Sequence, residues 1–312
     1  VKVAALSSAE LSSELRSRGV FFRTGPFTNH IQSSIRSVAQ GIGLLYADYP
    51  LEGSHAFADF HVLLERPAGI RRWLRPQSVF SFDGYRPFPP LPLAQAYPML
   101  EWALNWCIYS HANQFLIFHA AVIEKGGYAV IMPGEPGVGK STLCAALVSR
   151  GWRLLSDELA LINTDNLRVT PIPRPVSLKN ASIDLIRRFA PDAIIGQATY
   201  NTAKGTIAHM RPPRDSVERS DEFPLPAWLI FPKYAAGEAV RLRDETEGRA
   251  FMRIAGSAFN YGLLGFAGFS TVACLIDHCR CYDLTYGDLS GAVAAFETLE
   301  PPTRSALERA RA

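Results

Sequence analysis

The chain has 312 residues, 48% of them hydrophobic and 20% charged, with a formal net charge of +3. That balance excludes a disordered, collagen-like or coiled-coil chain and argues against a dedicated nucleic-acid binder. The length suggests two domains of roughly 100–200 residues each, or one with an appendage.

The first residues, VKVAALSSAELSSELRSRG, have no long apolar core and do not read as a signal peptide. Five scattered cysteines without an export signal argue against a disulfide framework, so a cytoplasmic protein is expected. Phe60 to Leu64 and Val79 to Phe82 are short apolar runs bounded by Pro and Gly, which predicts strands. Between them Arg71, Arg72 and Arg75 surround Trp73, and a solvated turn is expected there. The run PFPPLPL, ending at Leu93, reads as an extended linker. Apolar residues at helical spacing predict a buried helix over Ala94 to Ala112, closing an N-terminal α+β domain of residues 1–112.

From Phe115 the pattern changes. FLIFHAAVIE predicts a strand, Lys125-Gly126-Gly127 a tight turn and Tyr128 to Met132 a returning strand, together a hairpin. Ser141 to Arg150 reads as an amphipathic helix with Gly151 at its cap, and Trp152 to Leu155 as the next strand, which suggests a βαβ unit. The uncharged stretch from Ile254 to Ile276 is too rich in Gly, Ser and Thr for a membrane span, so buried helices or strands are expected. Cys274, Cys279 and Cys281 beside His278 fit no common zinc spacing and read as thiols in a strand pair. Gly291 to Leu299 predicts a last helix, fraying from Pro301.

The chemistry gathers after the hairpin. GEPGVGKST matches G-x-x-x-x-G-K-[ST], making Gly134, Glu135, Pro136, Gly137, Val138, Gly139, Lys140, Ser141 and Thr142 a candidate phosphate-binding loop. Glycines let successive N–H groups turn inward, and the following helix aims its positive end at the same anion. In such a loop Lys140 reaches the β- and γ-phosphates and Ser141 ligates Mg²⁺. Asp157 and Glu158 end the next strand, directly after the helix that Lys140 opens. One acid can hold Mg²⁺ and the other can take a proton from an attacking hydroxyl; the alternative is a pair that faces water. His119, in an otherwise apolar strand, is either catalytic or a satisfied core residue. Lys204, His209, Arg211 and Arg214 form a basic cluster that could clamp a phosphoryl group, and Arg174, Lys179 and Asn180 could line the same site.

Together, His119-Ala120, the hairpin, GEPGVGKSTL and GWRLLSDEL resemble the catalytic domain of HPr kinase/phosphorylase, in particular its related kinases of the "A" type. The specific match covers Phe115 to Leu161. The resemblance implies an α/β fold of the HPr kinase/PEP carboxykinase-like type over residues 113–312. It implies ATP and Mg²⁺ as cofactors, Gly134 to Thr142 around the phosphates, Ser141 and Asp157 on the metal, and Asp157 or Glu158 as general base. His119 corresponds to the family's His near the phosphate. The acceptor implied is a hydroxyl, foremost a Ser of a protein or peptide; a small metabolite, a peptide natural product or an ATP-hydrolysing switch are the alternatives. A homo-oligomer is possible on the same ground, and no nucleic acid or membrane partner is expected. Three features depart from the family: Glu158 where a second Asp is usual, Thr142 where Glu is common, and no Arg-Pro-Gly-Arg segment.

Overall fold

A computed structural model describes residues 1–54, 56–67 and 75–300. Arg71, Arg72, Trp73 and the tail from Pro301 lie outside the described residues, so the expectations there have no counterpart.

The chain opens with α1 (Ser8–Arg16), started by a reciprocal capping box between Ser7 and Glu10. Then come β1 (Val20–Thr24), β2 (Phe27–Ser33), α2 (Arg36–Leu45), β3 (Phe60–Glu65), β4 (Gln77–Phe82), β5 (Leu91–Pro92) and α3 (Ala96–His111). The strands form one sheet in the order β1-β2-β3-β4-β5, with only β2 and β3 parallel. The Pro-rich run is therefore more than a linker. Leu91–Pro92 pairs with β4 at the sheet edge, where a residue lacking an N–H is tolerated.

The next elements are β6 (Phe115–Lys125), β7 (Tyr128–Pro133), α4 (Lys140–Val148), β8 (Arg153–Ser156), β9 (Leu159–Asn163), β10 (Val169–Thr170), β11 (Val176–Lys179) and α5 (Ala181–Phe189). They are followed by β12 (Thr199–Thr202), β13 (Gly205–Met210), α6 (Arg214–Glu218), β14 (Leu225–Tyr234), β15 (Arg241–Asp244), α7 (Glu247–Gly256), α8 (Tyr261–Leu264), α9 (Phe266–His278), β16 (Arg280–Tyr286) and α10 (Leu289–Glu297). The large sheet runs β10-β9-β6-β7-β14-β16-β15, with β8 also on β6. A small sheet, β11-β13-β12, stands apart from it.

The β6–β7 hairpin turns at Gly126 and Gly127, both at positive φ, as a two-residue turn of this hand requires. The expected βαβ unit is modified. β7 and β8 run the same way, but β6 lies between them and is antiparallel to both. Helix α4 is not amphipathic either: Leu143 through Val148 are all buried, so it is a central helix. Its end does follow expectation. Gly151 N–H bonds Val148 O and Trp152 N–H bonds Leu147 O, a Schellman closure around a left-handed glycine.

The stretch Ile254 to Ile276 is mostly helical, spread over α7, α8 and α9, but it is not buried throughout: α8 has no buried residue, and Leu263, Phe266 and Phe269 are exposed. Among the described residues no helix is long and apolar enough to cross a membrane. The cysteine expectation is corrected: Cys274 is exposed on helix α9 and Cys281 is buried in β16, so they do not share a strand pair. Among the described residues no cluster of His, Cys, Asp and Glu is arranged to hold a metal by itself.

Strand β6 organises the core because its side chains alternate between faces. Even-numbered Leu116, Phe118, Ala120 and Val122 pack in one cluster with Val272 and Leu275 of α9. On the other face, Phe115 and Ile117 join a core with Phe22, Tyr46 and Leu100 from the N-terminal part of the chain. Ala121 and Ile123 join a different core around α4. His119 falls on that second face, at the seam between the two cores. Residues on both sides of position 113 thus share one hydrophobic cluster.

Candidate functional site

Strand β7 delivers the glycine loop to the edge of the large sheet, and α4 starts directly after it. Gly139 caps the helix at φ +101, and a Cβ there would collide with the Tyr286 hydroxyl. Only glycine fits both demands. The Tyr286 hydroxyl donates to Gly139 O at 3.1 Å, and Tyr234 N–H donates to Val138 O at 3.1 Å. The ends of β14 and β16 therefore clamp the loop from outside. The first-turn N–H groups of α4, including those of Ser141 and Thr142, have no carbonyl to bond within the helix, and both residues line a cavity.

That cavity measures about 460 Å³. It is lined by Pro136, Gly137, Gly139, Lys140, Ser141 and Thr142 on one side and by His119, Asp157 and Glu158 on another. Lys179, Asn180 and Lys204 close the third side. Gly134, Glu135 and Val138 do not line it; they hold the loop through their backbones. Lys140 is buried, its ammonium donating to Gly134 O and, at 2.9 Å, to Glu135 O. Burial lowers its pKa to about 8, against the opposing pull of Glu158 and Asp157.

The acid pair falls where β8 ends, as expected, and β9 begins directly after it. Across the pair one register on β6 is kept, Val122 with Ser156 and His119 with Leu159, while earlier in β8 the pairing slips by one residue, Ile123 facing Leu154. Asp157 and Glu158 are a two-residue bend inside one long antiparallel ribbon. Ala120 N–H still bonds Glu158 O at 3.2 Å across the bend. Regular alternation would send the two side chains to opposite faces, and the bend brings both into the same cavity.

The two carboxylates then diverge in character. Asp157 is buried and accepts Ser177 N–H at 2.9 Å through Oδ2, while Oδ1 has no partner at hydrogen-bond distance. Burial, with the charge of Glu158 beside it, raises its pKa; Ser177 N–H, Lys179 and the facing Ser141 hydroxyl pull the other way. Burial would also raise Glu158, but His119 and the ammonium groups of Lys179 and Lys204 outweigh it and hold Glu158 well below the usual range. His119 Nε2 lies 3.2 Å from Glu158 Oε2, and Lys179 Nζ lies 3.9 Å from Oε1. His119 is thus a half-buried site residue and not a satisfied core one. Neighbouring titratable groups whose surroundings push their pKa values apart are a recurring mark of acid–base sites.

Of the basic residues singled out from the sequence, the structure separates the cluster. Lys204, at the β12–β13 turn, enters the cavity with its ammonium 5.4 Å from the Trp102 ring, and burial lowers its pKa. His209 is buried on β13 behind the acids. Arg211 pairs with Asp48, Arg214 with Glu218, and Arg174 with Glu101, all outside the cavity. Lys179 and Asn180 do line it. Sequence reasoning missed Ser177, Ser182, Tyr234 and Tyr286. The tyrosines lie far along the chain from the loop, and nothing in their local pattern signals the clamp.

No family model matches the chain. It is 26% identical over 145 residues to the HPr kinase/phosphorylase of Nitrosomonas europaea, a match covering 46% of this chain and 40% of the relative. It is 37% identical over 51 residues to the HPr kinase/phosphorylase of Prosthecochloris aestuarii, covering 16% of this chain and 15% of the relative. The chain thus matches less than half the length of these curated relatives. At low identity and partial coverage, the two similarities support the resemblance of this chain to the HPr-kinase-related family.

Proposed function

We propose that the chain is an ATP- and Mg²⁺-dependent kinase that transfers the γ-phosphoryl group to a hydroxyl, foremost a Ser of a protein or peptide. The observation that carries this is a single cavity holding the glycine loop, Lys140, two carboxylates of opposite character, His119 and two further ammonium groups. Phosphoryl transfer asks the protein mainly for positioning and for cations around the equatorial oxygens. Here the loop N–H groups and Lys140 hold the β- and γ-phosphates, so the motif acts as a P-loop. Lys179 and Lys204 face the transferring oxygens.

In the transfer, the acceptor oxygen forms a bond to the γ-phosphorus as the bond to the β-phosphate oxygen breaks. Glu158, ionised at neutral pH, takes the hydroxyl proton, and His119 holds the carboxylate in place through its Nε2–H. Asp157 and Ser141 would hold Mg²⁺: the fit rests on the unpartnered, buried Oδ1 of Asp157 beside the Ser141 hydroxyl, in an acid whose charge is otherwise poorly compensated. A bound Mg²⁺ would neutralise phosphate charge as it moves to the leaving oxygen.

On the same reading, residues 1–112 are an N-terminal domain and 113–312 the catalytic one, in a cytoplasmic protein. The departures from the family, foremost the missing Arg-Pro-Gly-Arg segment that the family uses for HPr contact, favour a hydroxyl other than that of HPr as acceptor. The test is incubation of the chain with γ-labelled ATP, Mg²⁺ and cell lysate. Label on a protein or peptide is the expected result, and label confined to small molecules or inorganic phosphate would overturn the acceptor assignment. Lys140→Ala must abolish the labelling; undiminished transfer would remove the loop from the mechanism.

A further inference from the structure

Behind the acid pair, away from the nucleotide side, lies a second space of about 20 Å³. It is bounded by Asp157, Ser177 and His209 on one side and by Glu101, Asn105 and Arg174 on the other. Three polar atoms here are buried without a partner: Asp157 Oδ1, Ser177 Oγ and His209 Nε2. Their residues are each less than a tenth exposed. Unpaired buried polar atoms are rare and each needs a physical reason. Ser177 Oγ and His209 Nε2 share one reason in this space, and Asp157 Oδ1, with two lone pairs, can meet it while also serving the Ser141 side.

The backbone independently brings them together. Ser177 and His209 are direct partners in the β11–β13 ladder, so their side chains share a face at close range. Ser177 N–H already holds the Asp157 carboxylate at 2.9 Å. A space of about this size admits one water molecule, and a buried water is stable when it has two to four polar partners. The rear wall is helix α3, whose Glu101 is fixed by Arg174 at 2.6 Å and by Tyr46 and Tyr97.

We propose that one ordered water joins Asp157, Ser177 and His209, and that His209 is through it a positioning residue for Asp157. The water accepts from His209 Nε2–H and from the Ser177 hydroxyl and donates to Asp157. No covalent step is involved. The inference gives the N-terminal part of the chain a role in the site, because α3 seals the space that keeps this water in place. It builds on the kinase reading for its kinetic arm only.

The first test is a high-resolution crystal structure of the full chain. A density peak within hydrogen-bond distance of all three atoms is expected, and a dry space would overturn the proposal whether or not the protein is a kinase. The second compares His209→Leu with His209→Gln, whose amide can place a donor near the position of Nε2. His209→Leu should lower kcat about tenfold, the scale seen when an outer-shell partner is lost, with KM for ATP unchanged. His209→Gln should restore most of kcat and the density peak. Equal kcat in all three proteins, or a Gln variant no better than Leu at an equal melting temperature, would overturn the positioning role.

Discussion

Lys140 carries a conflict that only a functional reading resolves. Burial lowers its pKa from 10.5 to about 8, so the folded state binds its proton less tightly than the unfolded state does. Between those values the unfolded chain holds more protons, and stability rises with pH; below about pH 8 the full cost is present. Lys140→Met should therefore raise stability at pH 7, by on the order of 1–3 kcal/mol, while abolishing phosphoryl transfer. Its advantage should shrink as pH rises past 8, which urea titrations at several pH values would show. For Asp157 the sign is opposite. Its pKa is raised above 3.8, so stability falls as pH rises through the window between the two values. Asp157→Asn should be the more stable protein at neutral pH; on the kinase reading Mg²⁺ with nucleotide should raise the melting temperature of the wild type and not that of this variant.

At the level of elements, the loop depends on strands that follow it at long range in the chain. Gly139→Ala meets both a left-handed backbone and the Tyr286 hydroxyl, and should cost about 1–3 kcal/mol. Tyr286→Phe removes only the hydrogen bond to Gly139 O, about 1 kcal/mol, and should show mainly as a raised KM for ATP in steady-state kinetics. How far the site can be read from the chain follows the same division. The hairpin, the loop, the start of α4 and the acid pair are local, carried by Gly placement and apolar alternation, and all are legible. The contact of Glu158 with His119 is not, because it comes from the antiparallel pairing of β9 on β6, which no local pattern reports. Nor is the entry of Lys179 and Lys204. Both ride on β11 and the β12–β13 turn, and only the docking of that small sheet tells them from Arg211 and Arg214.

For the molecule as a whole, the N-terminal part of the chain is joined to the rest by apolar and ionic contacts at once. Phe115, Ile117, Leu159 and Leu161 share a cluster with Phe22, Tyr46 and Leu100. Beside it the buried Arg174–Glu101 pair, held by Tyr46, Tyr97 and Asn105, ties α3 to the segment before β11. Glu101→Leu leaves a guanidinium buried without its counter-charge and should cost roughly 3–5 kcal/mol, much of it recovered in a double variant with Arg174→Met. Chemical denaturation of the two variants checks this. Residues 113–312 expressed alone should expose that cluster and aggregate or melt at a lower temperature than the full chain; a well-behaved fragment would show that the shared cluster contributes little. The change of pattern at Phe115 is visible in the sequence, yet the boundary it marks is crossed by packing that no local signal reports.

The bond that β6 makes across the acid bend has a consequence for motion. β6 lies inside the large sheet, with β7 on one side and β8 and β9 on the other, so the Ala120 amide, which donates to Glu158 O, should exchange with solvent as slowly as those of the sheet interior. On the kinase reading, the proton acceptor Glu158, anchored there through its carbonyl, and His119 on β6 itself are the stationary side of the site. Any closing over a bound nucleotide falls to the parts that hang on turns, the glycine loop and the tip carrying Lys204, and those are where exchange should be fast before binding and slow after it.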